Sequence, residues 1–524
     1  SYTATVTVSD GTVSTTQDIT VNINNVNDAP VITSSANWYD LAEGTTTVGT
    51  IVIEDQDGDS NFSFSLSGTD SEYFEISSVG VFAFKVAADF ETKSVYRFTV
   101  TVSDDNGGTT TQELLVAVLD EDLWTKSSFI IDQPNDNYDG CRDNPSMSKN
   151  GNVLVCAMNS RGDAHIYSYS SGSNGAWDIW DNSNAPFPSS LSSQGNYGQV
   201  ISLSDDGNVL AISAPVGDGA VWAFSRNGNS WTHKNNTSFN GGSLNNPGMV
   251  GPSGQSDYFG SSLSLDSDGN RIAVGTQFGN NNAGFIRVFE WTYLSSEDRS
   301  QWNQIGNDMI GSNFSPGAGL GTSVALSNDG NTLIGGASDR NYVNIYSYDG
   351  SSWTLDATFS GDSSSCFGGD VDIDSDGDTV VVSANGCDGE NDRGYVNVYR
   401  KNSSNNTWSQ LGNSILGEYD VDDISRGFGA DEFGHEVSMS DNGNIVAISS
   451  RKNPGSLDVS SQYKSAGHVR VFEYKNGDWD QLENDIDGDL EDGRFGDSIS
   501  LTNDGKKLTV LSSEDTKVYT FTRD

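Results

Sequence analysis

The stretch SLSLDSDGNRIAVG (262–275) holds the fold in miniature. Polar and apolar residues alternate, Asp-Ser-Asp-Gly-Asn interrupts, and a mostly apolar run follows. Alternation marks a half-buried strand, and an unbroken apolar run marks a fully buried one. The Asp-Gly between them tolerates the positive φ of a tight hairpin and is the strongest short-range hairpin signal. The same grammar recurs around Gly151, Gly207, Gly269, Gly330, Gly377, Gly443 and Gly505. An aromatic strand follows each turn: AHIYSY (164–169), VWAFSR (221–226), IRVFEW (286–291), VNIYSY (343–348), VNVYRK (396–401), VRVFEY (469–474) and KVYTFT (517–522). A tryptophan accompanies each unit: Trp124, Trp177, Trp231, Trp302, Trp353, Trp408 and Trp479. A period of roughly 50–70 residues means an array of small sheets rather than ordinary domains. Four short strands per unit, repeated seven times, predict a seven-bladed β-propeller. No segment sustains a helical period, so the fold class is all-β.

The order of the parts adds a second expectation. The repeat opens with a tryptophan segment, Trp124–Ile131, and stops after an aromatic strand at Thr522. The last unit therefore lacks its outer strand. Trp124–Ile131 is expected to supply it, so that an N-terminal strand closes the last blade and hides an otherwise unpaired edge.

The chain has 524 residues, enough for more than one domain, and carries 73 acidic against 27 basic residues, a formal charge of −46. Nucleic acid and anionic membranes, which need a positive face, are excluded as partners. The acidity suits either solubility in salty water or calcium binding. With no run of about 18 apolar residues, no membrane insertion is expected. Ser1 opens no signal peptide, but the chain starts inside a repeat, so its natural N-terminus is expected upstream. Four cysteines allow three pairings. Cys141 with Cys156, and Cys366 with Cys387, each straddle one hairpin, around Gly151 and Gly377. These two disulfides, with the oxidising compartment they imply, are preferred to four buried thiols.

A different repeat fills the first third. SYTATVTVSDG (1–11) returns as VYRFTVTVSDD (95–105), and each copy is followed by a second strand, QDITVNINNVND (17–28) and QELLVAVLDED (112–122). Residues 1–28 thus read as the last hairpin of one domain, 29–122 as a complete following copy, and 123–524 as the propeller. Alternating strands over roughly 95 residues suit a β-sandwich.

NVNDAP (25–30), AEG (42–44), EDQDGD (54–59), ADFE (88–91) and VSDD (102–105) lie in the order and spacing of cadherin-type repeats, and NVNDAP resembles the linker of bacterial cadherin-like repeats. That resemblance covers about residues 1–122 and implies Ca2+ held between successive sandwiches. Calcium takes roughly six to eight hard oxygens, often from carboxylates spaced two apart on loops. The resemblance assigns Asn25, Asn27, Asp28, Asp55, Asp57 and Asp104 to an upper junction. It assigns Glu43, Asp89, Glu91, Asp120 and Asp122 to a lower one. At the lower junction AVLDEDLW (117–124) departs from the family's Asn-Asp-x-Pro ending.

The propeller units resemble the FG-GAP repeats of integrin-type propellers, through Phe259-Gly260, Phe367-Gly368, Phe433-Gly434 and Phe495-Gly496. In that family a longer DxDxDG loop binds calcium, but here only a turn separates the strands. Asp372, Asp374 and Asp376 in DVDIDSDGD are the one acidic exception. Asp372 and Asp374, two apart on a strand, are expected to share a face. Among the long loops, GEYDVDDISRGFGADE (417–432) gathers Glu418, Asp420, Asp422 and Asp423, a candidate cation or basic-partner site beside the blander reading of a solvated acidic loop.

No nucleophile elbow, zinc helix, phosphate loop or dinucleotide fingerprint occurs, so no enzyme is expected. The sequence reads as an extracellular, cell-surface adhesion protein: a calcium-stiffened stalk bearing a propeller whose face takes a protein or glycan ligand. Two other readings are a subunit of a filament self-associating head-to-tail through the incomplete N-terminal sandwich, and a glycan-active propeller.

Overall fold

The computed structural model describes residues 1–34, 36–42, 44–88, 93–119, 124–126, 143–158, 163–170, 176–179, 198–228, 230–234, 249–252, 257–295, 299–311, 317–363, 365–386, 393–418, 432–453, 465–514 and 517–523. They form two compact units, Ser1–Leu123 and Trp124–Arg523.

In the first unit, Val95–Asp104 lies between Thr109–Leu119 and Phe62–Ser67, with Trp38–Ala42 added in parallel beside Thr109–Leu119. A second sheet orders Thr47–Thr50, Val81–Phe84 and Phe74–Ile76. The alternation of VYRFTVTV becomes burial of Tyr96, Phe98, Val100 and Val102, which share one core with Phe74, Phe82 and Phe84. The Phe74 and Phe98 rings sit 4.2 Å apart, joining the two sheets. Tyr2–Ser9 and Ser14–Val21 make a separate two-stranded hairpin.

The second unit is a β-propeller. Among the described residues it comprises seven sheets, each with a path of four antiparallel strands. Their first strands, Asp143–Met147, Ile201–Leu203, Ser262–Leu265, Val324–Leu326, Val371–Ile373, Val437–Met439 and Phe495–Leu501, neighbour one another in cyclic order, the seventh beside the first. Thr125–Lys126 takes the outer place of the last sheet, with Thr125 opposite Thr522 and Lys126 opposite Phe521. The closure expected from counting is thus present at these two residues, while 127–131 fall outside the described ones. Trp124 packs on the same core, and its backbone N–H donates to Glu483 Oε2 at 2.7 Å.

Each first turn is wider than a two-residue hairpin. In the second sheet the Ser204 N–H donates to the Val209 carbonyl at 2.9 Å, so Asp205 to Asn208 form a four-residue connection with Gly207 at φ 68°. The Ser204 side chain is fully buried. Its hydroxyl accepts from the Val209 N–H at 2.9 Å and donates to Asp206 at 2.8 Å. Ser148, Ser327, Ser440 and Thr502 repeat that arrangement, and Asp266 and Asp374 replace the hydroxyl with a carboxylate.

These turns also link sheet to sheet. Backbone N–H groups of Asn150, Asp205, Ser267, Asn328, Ser375, Asp441 and Asn503 donate to the carbonyls of Asp205, Ser267, Asn328, Ser375, Asp441, Asn503 and Lys149, at 2.8–3.1 Å. The ring of bonds returns to its start. The Phe-Gly pairs serve packing: Phe259, Phe367, Phe433 and Phe495 are buried between sheets. Gly260, at φ 93°, admits the chain where a Cβ would meet the Ser213 Cβ at 2.8 Å.

Ser440→Ala would leave the buried Ile445 N–H without its hydroxyl acceptor, at a cost of about 1–3 kcal/mol. Chemical denaturation followed by tryptophan fluorescence should show the propeller midpoint lowered with unchanged m-value.

Candidate functional site

The upper acidic set comes together. Asp57 accepts from the Asn25 side-chain amide and, at 2.6 Å, from the Asp28 N–H. Asn27 Nδ2 donates to Asp104 Oδ2 at 3.1 Å. Asp55 Oδ1 accepts from the Asp57 N–H at 2.8 Å and the Asp59 N–H at 3.3 Å, folding the EDQDGD loop around one carboxylate. One oxygen each of Asp55, Asp59 and Asp104 lies within 4.8 Å of the others. Asp55 Oδ2 is buried and has no hydrogen-bond partner. Burial pushes the Asp104 carboxyl up, but the Asn27 amide and the N–H groups of Gly108, Asn106 and Gly107 outweigh it, and the group is held below its ordinary range. All-oxygen donors with one orphaned oxygen suit a hard cation such as Ca2+.

Asp59 was not among the expected ligands. Its signal is the third acid of the alternating set Asp55, Asp57, Asp59. Asn106 Nδ2 binds Asp59 Oδ2 at 2.8 Å and completes the cluster. The lower-junction residues Glu43, Asp89, Glu91, Asp120 and Asp122 all lie outside the described residues.

Asp372, Asp374 and Asp376 are not gathered into one ligand set. Asp374 turns into its own hairpin, where Oδ1 accepts from the Asp378 and Thr379 N–H groups at 3.0 Å each. Asp372 points to the sixth sheet, where Oδ2 accepts from the Met439 N–H at 2.8 Å and faces Lys149 Nζ at 3.3 Å. Asp376 is exposed. The expected shared face is lost because the strand ends at Ile373 and Asp374 caps the turn.

Asp372 belongs instead to a central channel of about 350 Å³ bounded by the first strands. Side chains on its wall bridge one sheet to the next. Ser202 accepts from the Leu265 N–H, Ser264 from Leu326, Ser438 from Leu501, Asp370 from Val437 and Glu436 from Ile499, at 2.8–3.0 Å. Two of these bridges are acids facing each other. Burial, then partly offset by the Val437 N–H, pushes Asp370 up to about 7. Burial and the Asp370 charge push Glu436 up to about 8. Asp205 at the channel mouth is raised to about 6, first by burial and then by Asp441. Lys149 reaches across to the Met439 carbonyl at 2.8 Å. This polar channel was not foreseen, although alternation along the first strands could have marked it.

Of the acidic-loop candidates, Asp420, Asp422 and Asp423 lie outside the described residues, and Glu418 is exposed at the loop's start. Cys156 and Cys366 are not free thiols, and their expected partners Cys141 and Cys387 lie outside the described residues. Trp124, Trp231, Trp302, Trp353, Trp408 and Trp479 pack in the cores between sheets: Trp302 Nε1 donates to the Lys234 carbonyl at 3.1 Å and Trp479 Nε1 to that of Leu411 at 2.8 Å. Burial pushes His233, His435 and His468 down to about 4, so they are neutral imidazoles at pH 7.

A family model described as a bacterial Ig domain matches residues 27–117. The N-terminal sandwich carries a bacterial Ig-like domain. The match covers the stretch whose motifs resemble cadherin repeats, and the two share the sandwich class. No curated protein matches the chain. Among solved structures, the Cps50 (Swd1) β-propeller domain of Myceliophteria thermophila is similar at 11% identity and TM-score 0.45, covering 76% of this chain and 99% of its own. Hydrazine synthase of Kuenenia stuttgartiensis is similar at 14% identity and TM-score 0.46, covering 75% and 98%. A Bacteroides fragilis protein titled a putative 6-phosphogluconolactonase is similar at 12% identity and TM-score 0.41, covering 76% and 97%. Among the described residues no helix is long and apolar enough to cross a membrane.

The channel acids give a test with a definite sign. Their folded-state values lie above the ordinary ones, so the native state holds extra protons and its stability falls as pH rises from about 4 to about 8. The double variant Asp370→Asn/Glu436→Gln keeps an acceptor for each N–H and removes the charge. Thermal melts should show it about 2–5 °C more stable than the parent at pH 8.5 and no more stable at pH 5.

Proposed function

We propose that this is a non-enzymatic, extracellular surface protein in which a calcium-stiffened, cadherin-like sandwich stalk carries a propeller interaction head. The observation that carries the proposal is the Asp55–Asp59–Asp104 cluster, with its orphaned buried oxygen, tied to the Asn25–Asp28 linker. Asn27, Asp28, Asp55, Asp57, Asp59 and Asp104 would hold the ion, which neutralises carboxylates that otherwise repel across the linker. The linker's direction is then fixed by the metal rather than by an apolar interface. The propeller head would take a protein or glycan partner. The pairings Cys141–Cys156 and Cys366–Cys387 and an oxidising, calcium-rich exterior belong to the same reading.

One observation favours a second reading. Tyr2, Val6, Val8, Ile19, Val21 and Ile23 on the N-terminal hairpin are 44–71% exposed. Their counterparts Tyr96, Val100, Val102, Leu114, Val116 and Val118 are at most 3% exposed. A hairpin with an apolar face of this kind needs a covering sheet. A second copy of the chain, docked head-to-tail, would supply one and extend into a filament.

Differential scanning calorimetry in calcium and then in chelator tests the stalk. At a hundredfold excess over Kd, calcium contributes about 2.7 kcal/mol. For a domain of this size that is roughly 10–20 °C in the sandwich transition. Asp55→Asn and Asp104→Asn should abolish that shift, and the filament reading predicts concentration-dependent assembly by light scattering. A sandwich transition indifferent to chelation removes the mechanism.

A further inference from the structure

Glu418, His468 and Asp485 lie apart in the sequence and meet in the propeller. Glu418 follows Ile415–Leu416, a short strand paired with the fifth sheet. His468 opens the third strand of the sixth sheet, His468–Lys475, and Asp485 lies in its outermost strand, Asp478–Asp487. One potential ligand atom from each falls within 4.8 Å of the other two. We propose that these three residues form a binding site for a divalent transition cation of the Zn2+ class, separate from the calcium set of the stalk.

Three observations point to a metal rather than to an ion pair. First, His468 is 1% exposed, and neither Nδ1 nor Nε2 has a hydrogen-bond partner. Leaving a buried imidazole wholly unpaired is costly, and metal ligation at Nδ1 would relieve part of that demand. Second, Nδ1 stands 3.5 Å from Asp485 Oδ2, too long for a good hydrogen bond. Two ligands at about 2.0–2.2 Å from a tetrahedral ion are roughly 3.3–3.6 Å apart, which fits. Third, Asp485 is pre-oriented. Its Oδ1 accepts from Gln481 Nε2 at 2.8 Å and faces Arg470 Nε at 3.5 Å, which leaves Oδ2 turned to the imidazole. Gln481 is itself fixed by Arg470 through bonds of 2.9 and 2.6 Å, the outer-shell support that ligating carboxylates use.

The donor set selects the ion. One imidazole with two carboxylates suits zinc and its neighbours, whereas calcium wants more oxygens and no nitrogen. Glu418 is exposed, so a fourth coordination position would open to solvent and could take water or a carboxylate from a partner. Bound there, the ion would tie the chain leaving the fifth sheet to the third and fourth strands of the sixth.

Isothermal titration of the chelator-stripped full chain with Zn2+, in millimolar calcium to fill the stalk, should give one equivalent that calcium does not displace. Glu418→Gln and Asp485→Asn should each weaken it by about tenfold or more. Co2+ in place of Zn2+ should give a visible d–d spectrum that both variants lose. Glu418 is exposed, so its variant should melt with the parent in chelator, separating lost ligation from lost fold. Absence of Zn2+ binding, or binding that both variants leave unchanged, overturns the site.

Discussion

Each sheet of the propeller begins with a strand that has a neighbour on one side only, and its open edge faces the axis. Seven such edges would leave backbone N–H groups unpaired in a confined space, each at a cost comparable to a lost hydrogen bond. The chain meets this demand in two tiers. The first is the closed ring of backbone bonds between the turns, from Asn150 round to Lys149. The second is the set of short polar side chains, Ser202, Ser264 and Ser438 among them, that accept from the next sheet's N–H groups. Both tiers need consecutive sheets at fixed spacing, so the ring closes cooperatively. The strand at Thr125–Lys126 then seals the outside of the joint that the turns seal within.

This constraint explains why acids stand inside an already acidic protein. An edge N–H can be met by a hydroxyl or by a carboxylate, and the fifth and sixth sheets use Asp370, Asp372 and Glu436 where the third uses Ser264. A carboxylate accepts strongly but brings a charge into a confined channel. Two of them facing each other retain protons well into the neutral range. Lys149, reaching from the first sheet to Met439 and Asp372, offsets part of that charge.

Much of this architecture was legible from periodicity. The seven glycine-centred turns, the aromatic third strands and the displaced outer strand follow from local chemistry repeated in order, and local chemistry survives in a sequence. Relations across sheets do not. Asp374 and Asp372 look alike in DVDIDSDGD, but one faces its own turn and the other the next sheet, because the strand ends between them. His468 and Asp485 meet only through the pairing of two strands whose register shifts between Val469 and Val471. No spacing rule anticipates that shift. Asp59 is a nearer miss, since its place in the alternating acids of EDQDGD was available to be read.

Charge density alone therefore cannot mark a metal site in a chain with 73 acids. What separates the acids is whether their oxygens are already satisfied. Asp374 Oδ1 accepts from two N–H groups of its own hairpin, so it works as a structural cap. Asp55 does the same with Oδ1, gathering the N–H groups of Asp57 and Asp59, yet keeps Oδ2 buried and unpaired beside two more carboxylates. An uncompensated buried oxygen of that kind is unfavourable in the isolated sandwich. A cation would convert the same arrangement into the joint that fixes the linker. The hairpin grammar and the candidate cation site thus draw on one device, a carboxylate folding a short loop around itself, and differ only in the oxygen left over.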